Sequence, residues 1–196
     1  MSELSSIEII KKYSKSRSYP IQNQEDFTKH VGVSAFVDQK VMIMNLQSID
    51  KDLYFIFYDS YGTKPGFNIT YCGLFKKVKL DAKSDVIINK RDSLDFLSFK
   101  KRYKTNSSYI DKALCIYTNN GTAVKKIVNR SFVQGFHDLN KKMGYIQFIL
   151  DNRHLSFSSK LSNQNIASLR NKRWILDEKQ LDLFIANGAE ILKGIK

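Results

Sequence analysis

The stretch "FNITYCGLFKKVKL", residues 67–80, has the period of two that decides the fold of this chain. Successive side chains of a strand point to opposite sides of a sheet, so its residues divide into two sets. One set is Phe67, Ile69, Tyr71, Gly73 and Phe75, and the other is Asn68, Thr70, Cys72 and Leu74. This pattern is typical of a half-buried antiparallel strand.

Shorter segments on either side show the same period. "VMIMNL" (41–46), "LYFIFY" (53–58) and "VIIN" (86–89) are rich in strand-forming residues, and "DSYGTKPG" (59–66) has Pro and Gly where a hairpin needs them. These segments predict an antiparallel meander in the first half of the chain.

Helices are predicted on both sides of the strands. Ser5 and Glu8 have the spacing of a capping box and open a helix to about residue 14, and Asn23 is predicted to cap a short second helix. Ser131 with Gln134 predicts a helix that Gly144 ends. Asp177 predicts the cap of a terminal helix.

The remaining second half gives weaker signals. "FKKRYKT" (99–105) alternates like a strand, and residues 107–118 fit a helix or a strand equally well. "YIQFIL" and "HLSFSS" flank the turn 151–153 and predict a hairpin, whereas 161–173 has the composition of a polar connection.

The fold class predicted from these elements is α+β: an antiparallel sheet meander with helices packed on it and terminal helices at both ends. With 196 residues and no linker-like tract, the chain is expected to form a single domain, 1–196. It would comprise an N-terminal helical segment, 1–31, and an α+β core, 40–196.

Positive charge is concentrated in the second half of the chain. The net charge is +13, of which residues 1–98 contribute +2 (14 Lys and Arg against 12 Asp and Glu) and residues 99–196 contribute +11 (18 against 7). This asymmetry favours an anionic partner: nucleic acid, another polyanion or the surface of a membrane in peripheral contact. The alternative is a basic surface that is only solvated.

Two basic clusters are the candidate anion-binding residues. If 99–105 is a strand, three cations project from one of its faces, and "LRNKRW" (169–174) supplies three more. The six candidates are Lys100, Arg102, Lys104, Arg170, Lys172 and Arg173. Lysines on an edge strand also prevent aggregation of sheets, so a purely structural role stays open for the first cluster. Trp174 is expected in the core rather than on a base-stacking surface.

The sequence contains no catalytic or metal-binding signature, and no cofactor is predicted. His30, His137 and His154 lack metal-ligand spacing, and Cys72 and Cys115 lie in apolar runs typical of buried, inert thiols. No apolar run approaches the length of a membrane-spanning helix, and the polar N-terminus is unlike a signal peptide. Two cysteines form no disulfide framework, so a cytoplasmic location is expected.

Short motifs suggest a relationship to a known family. Gly73-Leu74-Phe75 forms a Gly-hydrophobic-Phe element, after which comes an F-x-K-x-aromatic-x-x-x-Ser stretch at Phe99, Lys101, Tyr103 and Ser107, with Ala113 opening the next apolar run. Over roughly residues 50–195 the chain thereby resembles a family of uncharacterised bacterial proteins catalogued only as a domain of unknown function. Many members carry membrane-spanning segments ahead of this region. The resemblance implies no activity and no site residue.

The sequence therefore favours a non-enzymatic binding or accessory domain whose basic C-terminal half contacts nucleic acid or an acidic surface. Two alternatives remain open: an enzyme with a dispersed site, and a protein–protein accessory domain whose charge is incidental. The oligomeric state is not predicted.

Overall fold

The computed structural model of the chain describes residues 5–30, 36–62, 68–79, 85–92, 101–151, 161 and 164–195. The helices are α1 (Ser6–Ser16), α2 (Ser108–Ala113), α3 (Gly121–Ile127), α4 (Arg130–Met143) and α5 (Glu178–Lys193). The strands are β1 (Ile21–His30), β2 (Phe36–Asn45), β3 (Leu53–Gly62), β4 (Ile69–Val78), β5 (Val86–Lys90), β6 (Leu114–Thr118), β7 (Ile146–Asp151) and β8 (Asn165–Asn171).

The eight strands form one antiparallel sheet in the order β1-β2-β3-β4-β8-β7-β5-β6. Strands β2, β3 and β4 of the predicted meander are neighbours in sequence order, whereas its fourth strand, β5, pairs with β6 and β7 instead of β4. Strand β1 extends the meander at the edge, and β8 returns from the end of the chain to lie between β4 and β7. Helices α1 and α5 lie near the two ends of the chain. The predicted α+β class, with an antiparallel meander and terminal helices, is therefore confirmed.

Helices pack on one face of the sheet, which we call the helix-bearing face. Phe132 of α4 lies edge-on to Phe148 of β7 with ring centroids 5.3 Å apart, and Phe184 of α5 lies 5.7 Å from Phe55 of β3. The core on this face also includes Ile10 and Tyr13 from α1. A Cβ on Gly188 of α5 would lie 2.4 Å from Leu74 Cδ1, so glycine permits α5 to approach β4 closely.

We call the other side of the sheet the opposite face, and its character changes from one edge to the other. Across β2, β3 and β4 it carries a second buried cluster, joined by Leu161 and Ile166. The strand residues of that cluster are Val41, Ile43, Tyr54, Ile56, Tyr58 and Phe75. Beyond β8 the same face carries buried Ile149 of β7 and half-buried Ile87 of β5, and at one end of these strands it becomes polar, with Gln147 and Asn89 both half-buried.

Two predicted elements are wrong for identifiable physical reasons. Residues 21–30 form strand β1 rather than a short helix, so the helical N-terminal segment ends at Ser16. This strand is at the edge of the sheet, and its polar composition conceals the period of two. The expected polar connection contains strand β8, in which Ile166 to Leu169 are all buried and alternation is therefore lost.

Smaller predictions had mixed outcomes. The Ser5–Glu8 capping box and the Asp177 cap are confirmed, but α4 is capped by Asn129 rather than by Ser131. The ambiguous segment 107–118 divides into α2 and β6. The second strand of the expected hairpin lies outside the described residues, and β7 pairs with β5 and β8.

Candidate anion-binding site

The first predicted cluster does not form the expected row of three cations. Residues 101–105 contain a single bridge, from Tyr103 to Ile116, and no strand. The guanidinium of half-buried Arg102 donates to the carbonyl oxygens of Asp111 and Leu114, the latter at 2.9 Å. Arg102 thus ties down the end of α2, while Lys104 is exposed and Lys100 lies outside the described residues.

Arg170, in the second cluster, is held on the opposite face of the sheet. Its guanidinium carbon lies 5.2 Å from the Tyr71 ring centroid and 5.0 Å from that of Phe75, and its Nε donates to Ser168 Oγ at 2.9 Å. Gly73, between the two aromatics on β4, pairs directly with Arg170 on β8. A Cβ there would lie 2.0 Å from the Leu169 carbonyl oxygen, so only glycine permits this close pairing.

The other residues of "LRNKRW" divide between surface and core. Lys172 and Arg173 are exposed just beyond β8. Trp174 packs on the core as expected: its ring lies edge-on to Phe57 at 5.5 Å, and its indole Nε1 donates to the Tyr58 carbonyl at 3.0 Å.

The two predicted clusters lie far apart in the sheet. Tyr103 adds to the outer side of β6, and four strand spacings separate that position from β8. At about 4.8 Å per spacing this is roughly 19 Å. Lys104 and Lys172 therefore belong to separate regions of the surface.

The register instead brings other residues to Arg170 and Lys172. Arg170 pairs with Gln147, and Gln147 pairs with Asn89, so these three form one row across β8, β7 and β5 on the opposite face. Two residues farther along, just beyond the ends of β8, β7 and β5, continuing this register places Lys172 opposite Tyr145 and Tyr145 opposite Arg91. The Arg91 N–H donates to the Ala113 carbonyl at 2.9 Å, which continues the β5–β6 ladder to this second row.

These two rows form a surface that we call the basic patch, since alternation along each strand places all its members on the same face. It consists of Asn89, Arg91, Tyr145, Gln147, Arg170 and Lys172.

Contacts within the basic patch centre on Tyr145. The Tyr145 side chain is 45% exposed, and Lys172 Nζ lies 4.6 Å from its ring centroid. Asn89 Oδ1 accepts hydrogen bonds from the Tyr145 hydroxyl at 3.0 Å and from Gln147 Nε2 at 2.8 Å. An aromatic ring, two amides and flanking cations thus meet on a single surface.

The end of α4 positions Tyr145. Gly144 ends the helix with φ +82°, a conformation that favours glycine. Buried Asn140 then donates to the Phe136 carbonyl at 2.9 Å and accepts from the Ile146 N–H at 2.9 Å. This asparagine fixes the turn from α4 to β7. It therefore also fixes the position of Tyr145, which directly precedes β7.

Positive charge dominates the basic patch. Arg91 donates to the Asp111 carbonyl at 3.1 Å, and neither Arg91 nor Lys172 forms an ion pair with a carboxylate in the described part of the chain. Two spacings, about 10 Å, separate Arg91 from Lys172, where repulsion in water is only about 0.4 kcal/mol. Nearby carboxylates are exposed Asp92, next in the chain, and buried Asp151, four residues along β7 from Gln147.

Sequence reasoning found Arg170 and Lys172 but missed Arg91, Tyr145, Asn89 and Gln147. A weak signal was present in "YIQFIL", where Tyr145 and Gln147 share one side, and in "VIINKR", where Asn89 and Arg91 do, although Lys90 falls on the other side. It could not be used, because nothing in the sequence shows that β5, β7 and β8 are neighbours.

A groove of about 440 Å³ lies between α4 and α5 on the other side of the molecule. Its lining includes Lys142 but also Asp138 and Glu190, together with apolar residues such as Phe132 and Ile191. Because both signs of charge line it, the groove offers no selective attraction for an anion.

The candidate catalytic side chains lie apart from the basic patch or within the core. Cys72 and Cys115 are buried, and burial raises the pKa of Cys72 to about 12, so its thiol stays protonated at neutral pH. The Nδ1 atom of exposed His137 lies 3.6 Å from Oδ1 of Asp138, the next residue on α4. The His30 side chain and His154 fall outside the described residues.

In the part of the chain that the structure describes, no group of three or more His, Cys, Asp or Glu side chains could hold a metal ion. None of the helices found there combines the length and apolar character needed to cross a membrane.

No protein-family model, no curated protein and no solved structure matches the chain. The resemblance to bacterial proteins of unknown function therefore stays a prediction.

Proposed function

We propose that this protein is a non-enzymatic binding domain that holds an anionic macromolecule on its basic patch. The observation that carries the proposal is the row of Arg170, Gln147 and Asn89 across β8, β7 and β5. Beside this row Lys172 contacts the Tyr145 ring, and exposed Arg91 lies just after β5. These cations come from separate parts of the chain, and a sheet holds them on one face without a helix over them among the described elements.

The environment of the basic patch supports binding of a polyanion. Arg170 is oriented by Ser168 and by two aromatic rings, so little side-chain entropy is lost when it meets a ligand. Arg91 and Lys172 are exposed and add attraction that depends on salt. The cytoplasmic location expected from the sequence forms part of the same proposal.

A charge-removal experiment tests this function. The double variant Arg91→Ala/Lys172→Ala removes two cations from the basic patch, and Lys125→Ala/Lys126→Ala removes two exposed cations from α3, which packs on the helix-bearing face. Fluorescence anisotropy with labelled heparin, a single-stranded oligonucleotide and anionic vesicles, each titrated separately at several salt concentrations, measures the affinities.

We expect at least one of these probes to bind, with affinity falling as salt rises. Two lost charge contacts of about 0.7 kcal/mol each weaken binding about tenfold in the basic-patch variant. The α3 variant has the same net charge as the basic-patch variant, but its basic patch is intact. It should therefore bind nearly as tightly as the parent. Equal losses in both variants, or no binding to any probe at low salt, would overturn the proposal.

A further inference from the structure

We infer that the anionic partner is single-stranded nucleic acid, with a base stacked at Tyr145 and base edges hydrogen-bonded by Asn89 and Gln147. This inference rests on the proposed function, since it takes the basic patch as the binding surface. It goes further by naming the class of ligand and assigning a separate task to the residues that carry no charge.

The first argument is the exposure of an aromatic ring among cations. Tyr145 is one of few large hydrophobic side chains in the described residues that remain exposed, and it lies between Arg91 and Lys172 in the register. Surfaces that bind single strands combine cations for the backbone with aromatic rings on which bases stack. A lipid headgroup has no flat ring that would use such a platform, and an acidic protein has one only where an aromatic side chain lies among its carboxylates.

The second argument is the hydrogen-bonding state of the two amides. Asn89 Oδ1 already accepts from Tyr145 and Gln147, which directs Asn89 Nδ2 away from both as a donor. Neither Asn89 Nδ2 nor Gln147 Oε1 bonds to any other described residue. The Asn89 Nδ2 donor thus lies near the Gln147 Oε1 acceptor. The Watson–Crick edge of each base offers a complementary acceptor and donor.

The third argument concerns reach and excludes a duplex. Asn89 and Gln147 are half-buried short side chains on the face of a sheet, without a protruding helix or ribbon beside them in the described residues. Base edges of a duplex lie inside grooves that such side chains cannot enter. Bases of a single strand can turn outward and lie flat on the sheet, within reach of both amides and the ring.

Substitutions at Tyr145 separate stacking from charge without changing the net charge. Tyr145→Leu keeps apolar bulk but removes the aromatic ring, whereas Tyr145→Phe keeps the ring and removes the hydroxyl that donates to Asn89. The probes are a labelled single-stranded 12-mer, its duplex, heparin and vesicles containing phosphatidylserine, with circular dichroism confirming that each variant is folded.

The parent should bind the single strand more tightly than the duplex or heparin. Tyr145→Leu should weaken single-strand binding by about 5- to 150-fold and leave heparin binding within about twofold, since stacking contributes only with bases. Tyr145→Phe keeps the stacking ring and should lose clearly less affinity for the single strand than Tyr145→Leu, and any loss that remains measures the hydroxyl bond that orients Asn89. Removal of both amides by Asn89→Ala/Gln147→Ala should also weaken the single strand more than heparin.

Other outcomes overturn the inference in distinguishable ways. Equal affinity for single strand and heparin, with no effect of Tyr145→Leu, would leave a polyanion-binding domain but remove the base-stacking partner. Preference for the vesicles would replace nucleic acid with a membrane surface, and preference for the duplex would contradict the argument from reach. Absence of binding to every probe would remove the proposed function as well.

Discussion

The two faces of the sheet use aromatic side chains in opposite ways. On the helix-bearing face, Phe136 is fully buried and stacks on Phe132 with ring centroids 5.6 Å apart. At the β5–β7–β8 end of the opposite face, Tyr145 stays 45% exposed beside Lys172. The first arrangement contributes burial and packing energy, and the second leaves an aromatic ring within reach of a ligand. Stability and binding should therefore respond to substitutions on different faces.

The largest difference in stability should appear between two substitutions of an aromatic ring by alanine. Phe136→Ala leaves a cavity in the core and should lower the free energy of unfolding by about 3–5 kcal/mol. Tyr145 is 45% exposed, so Tyr145→Ala, which removes among other contacts the hydroxyl bond to Asn89 and the cation–π contact with Lys172, should cost much less, about 1 kcal/mol. Urea unfolding followed by circular dichroism measures both. Comparable costs would show that the exposed ring belongs to the core after all.

Two glycine-to-alanine substitutions test how closely β4 and β8 must approach beside Arg170 of the basic patch. Gly73→Ala places a Cβ 2.0 Å from the Leu169 carbonyl oxygen, which forces β4 and β8 apart and should cost about 1–3 kcal/mol or more. In Gly194→Ala the nearest atom is 3.8 Å away and φ is −70°, so this control should change stability by less than about 1 kcal/mol.

The same pair sharpens the comparison through binding. Since Arg170 lies beside Gly73 and between Tyr71 and Phe75, separation of β4 from β8 should also weaken binding at the basic patch. Anisotropy at a temperature where Gly73→Ala is still folded measures this effect. If stability falls and affinity does not, the placement of Arg170 is not important for binding.

How well each strand could be predicted from the sequence follows its composition. Strands β3 and β4 are buried on both faces at their centres, but their aromatic and branched residues mark them as strands, and the caps at Ser5 and Asp177 mark the terminal helices. Strands β1 and β8 contain many polar residues, and neither shows a clear period of two. Local pattern therefore predicts a strand that is rich in apolar and aromatic residues and misses one whose composition is that of a polar connection.

The candidate site was less predictable, because strand order determines it. Arg170 and Lys172 stood out as a cluster of charge along the chain, but their partners Arg91 and Tyr145 are 79 and 25 residues from Arg170. Only the insertion of β8 between β4 and β7 makes them neighbours. Conversely, Arg102 looked like a surface cation in sequence and is used by main-chain carbonyls of α2 and β6.

The smallest expected effect concerns a polar contact at the periphery of the helix-bearing face. Asp182 of α5 accepts from the Tyr13 hydroxyl at 2.8 Å and from Arg17 Nη2 at 2.6 Å, which connects α5 to α1. The hydrogen bond from Arg17 is the main cause that holds the pKa of Asp182 below its ordinary value of 3.8. The Arg17 and Asp182 side chains are 40% and 43% exposed, so solvent screens the pair. Asp182→Asn should therefore cost only about 0.5–1 kcal/mol at pH 7.

The pH dependence of this cost gives the test its direction. Folding lowers the pKa of Asp182, so its contribution to stability is complete above pH 3.8 and is lost as the pH falls through the lower folded-state pKa. The difference in unfolding free energy between parent and Asp182→Asn should shrink as the pH is lowered from 6 to below 3. Taking this difference cancels the titration of other carboxylates with lowered pKa values, such as Glu8 and Asp50. If the difference in unfolding free energy does not change with pH, the shape of the Asp182 side chain rather than its charge is important for stability. The contact between α1 and α5 would then depend mainly on the buried ring of Tyr13.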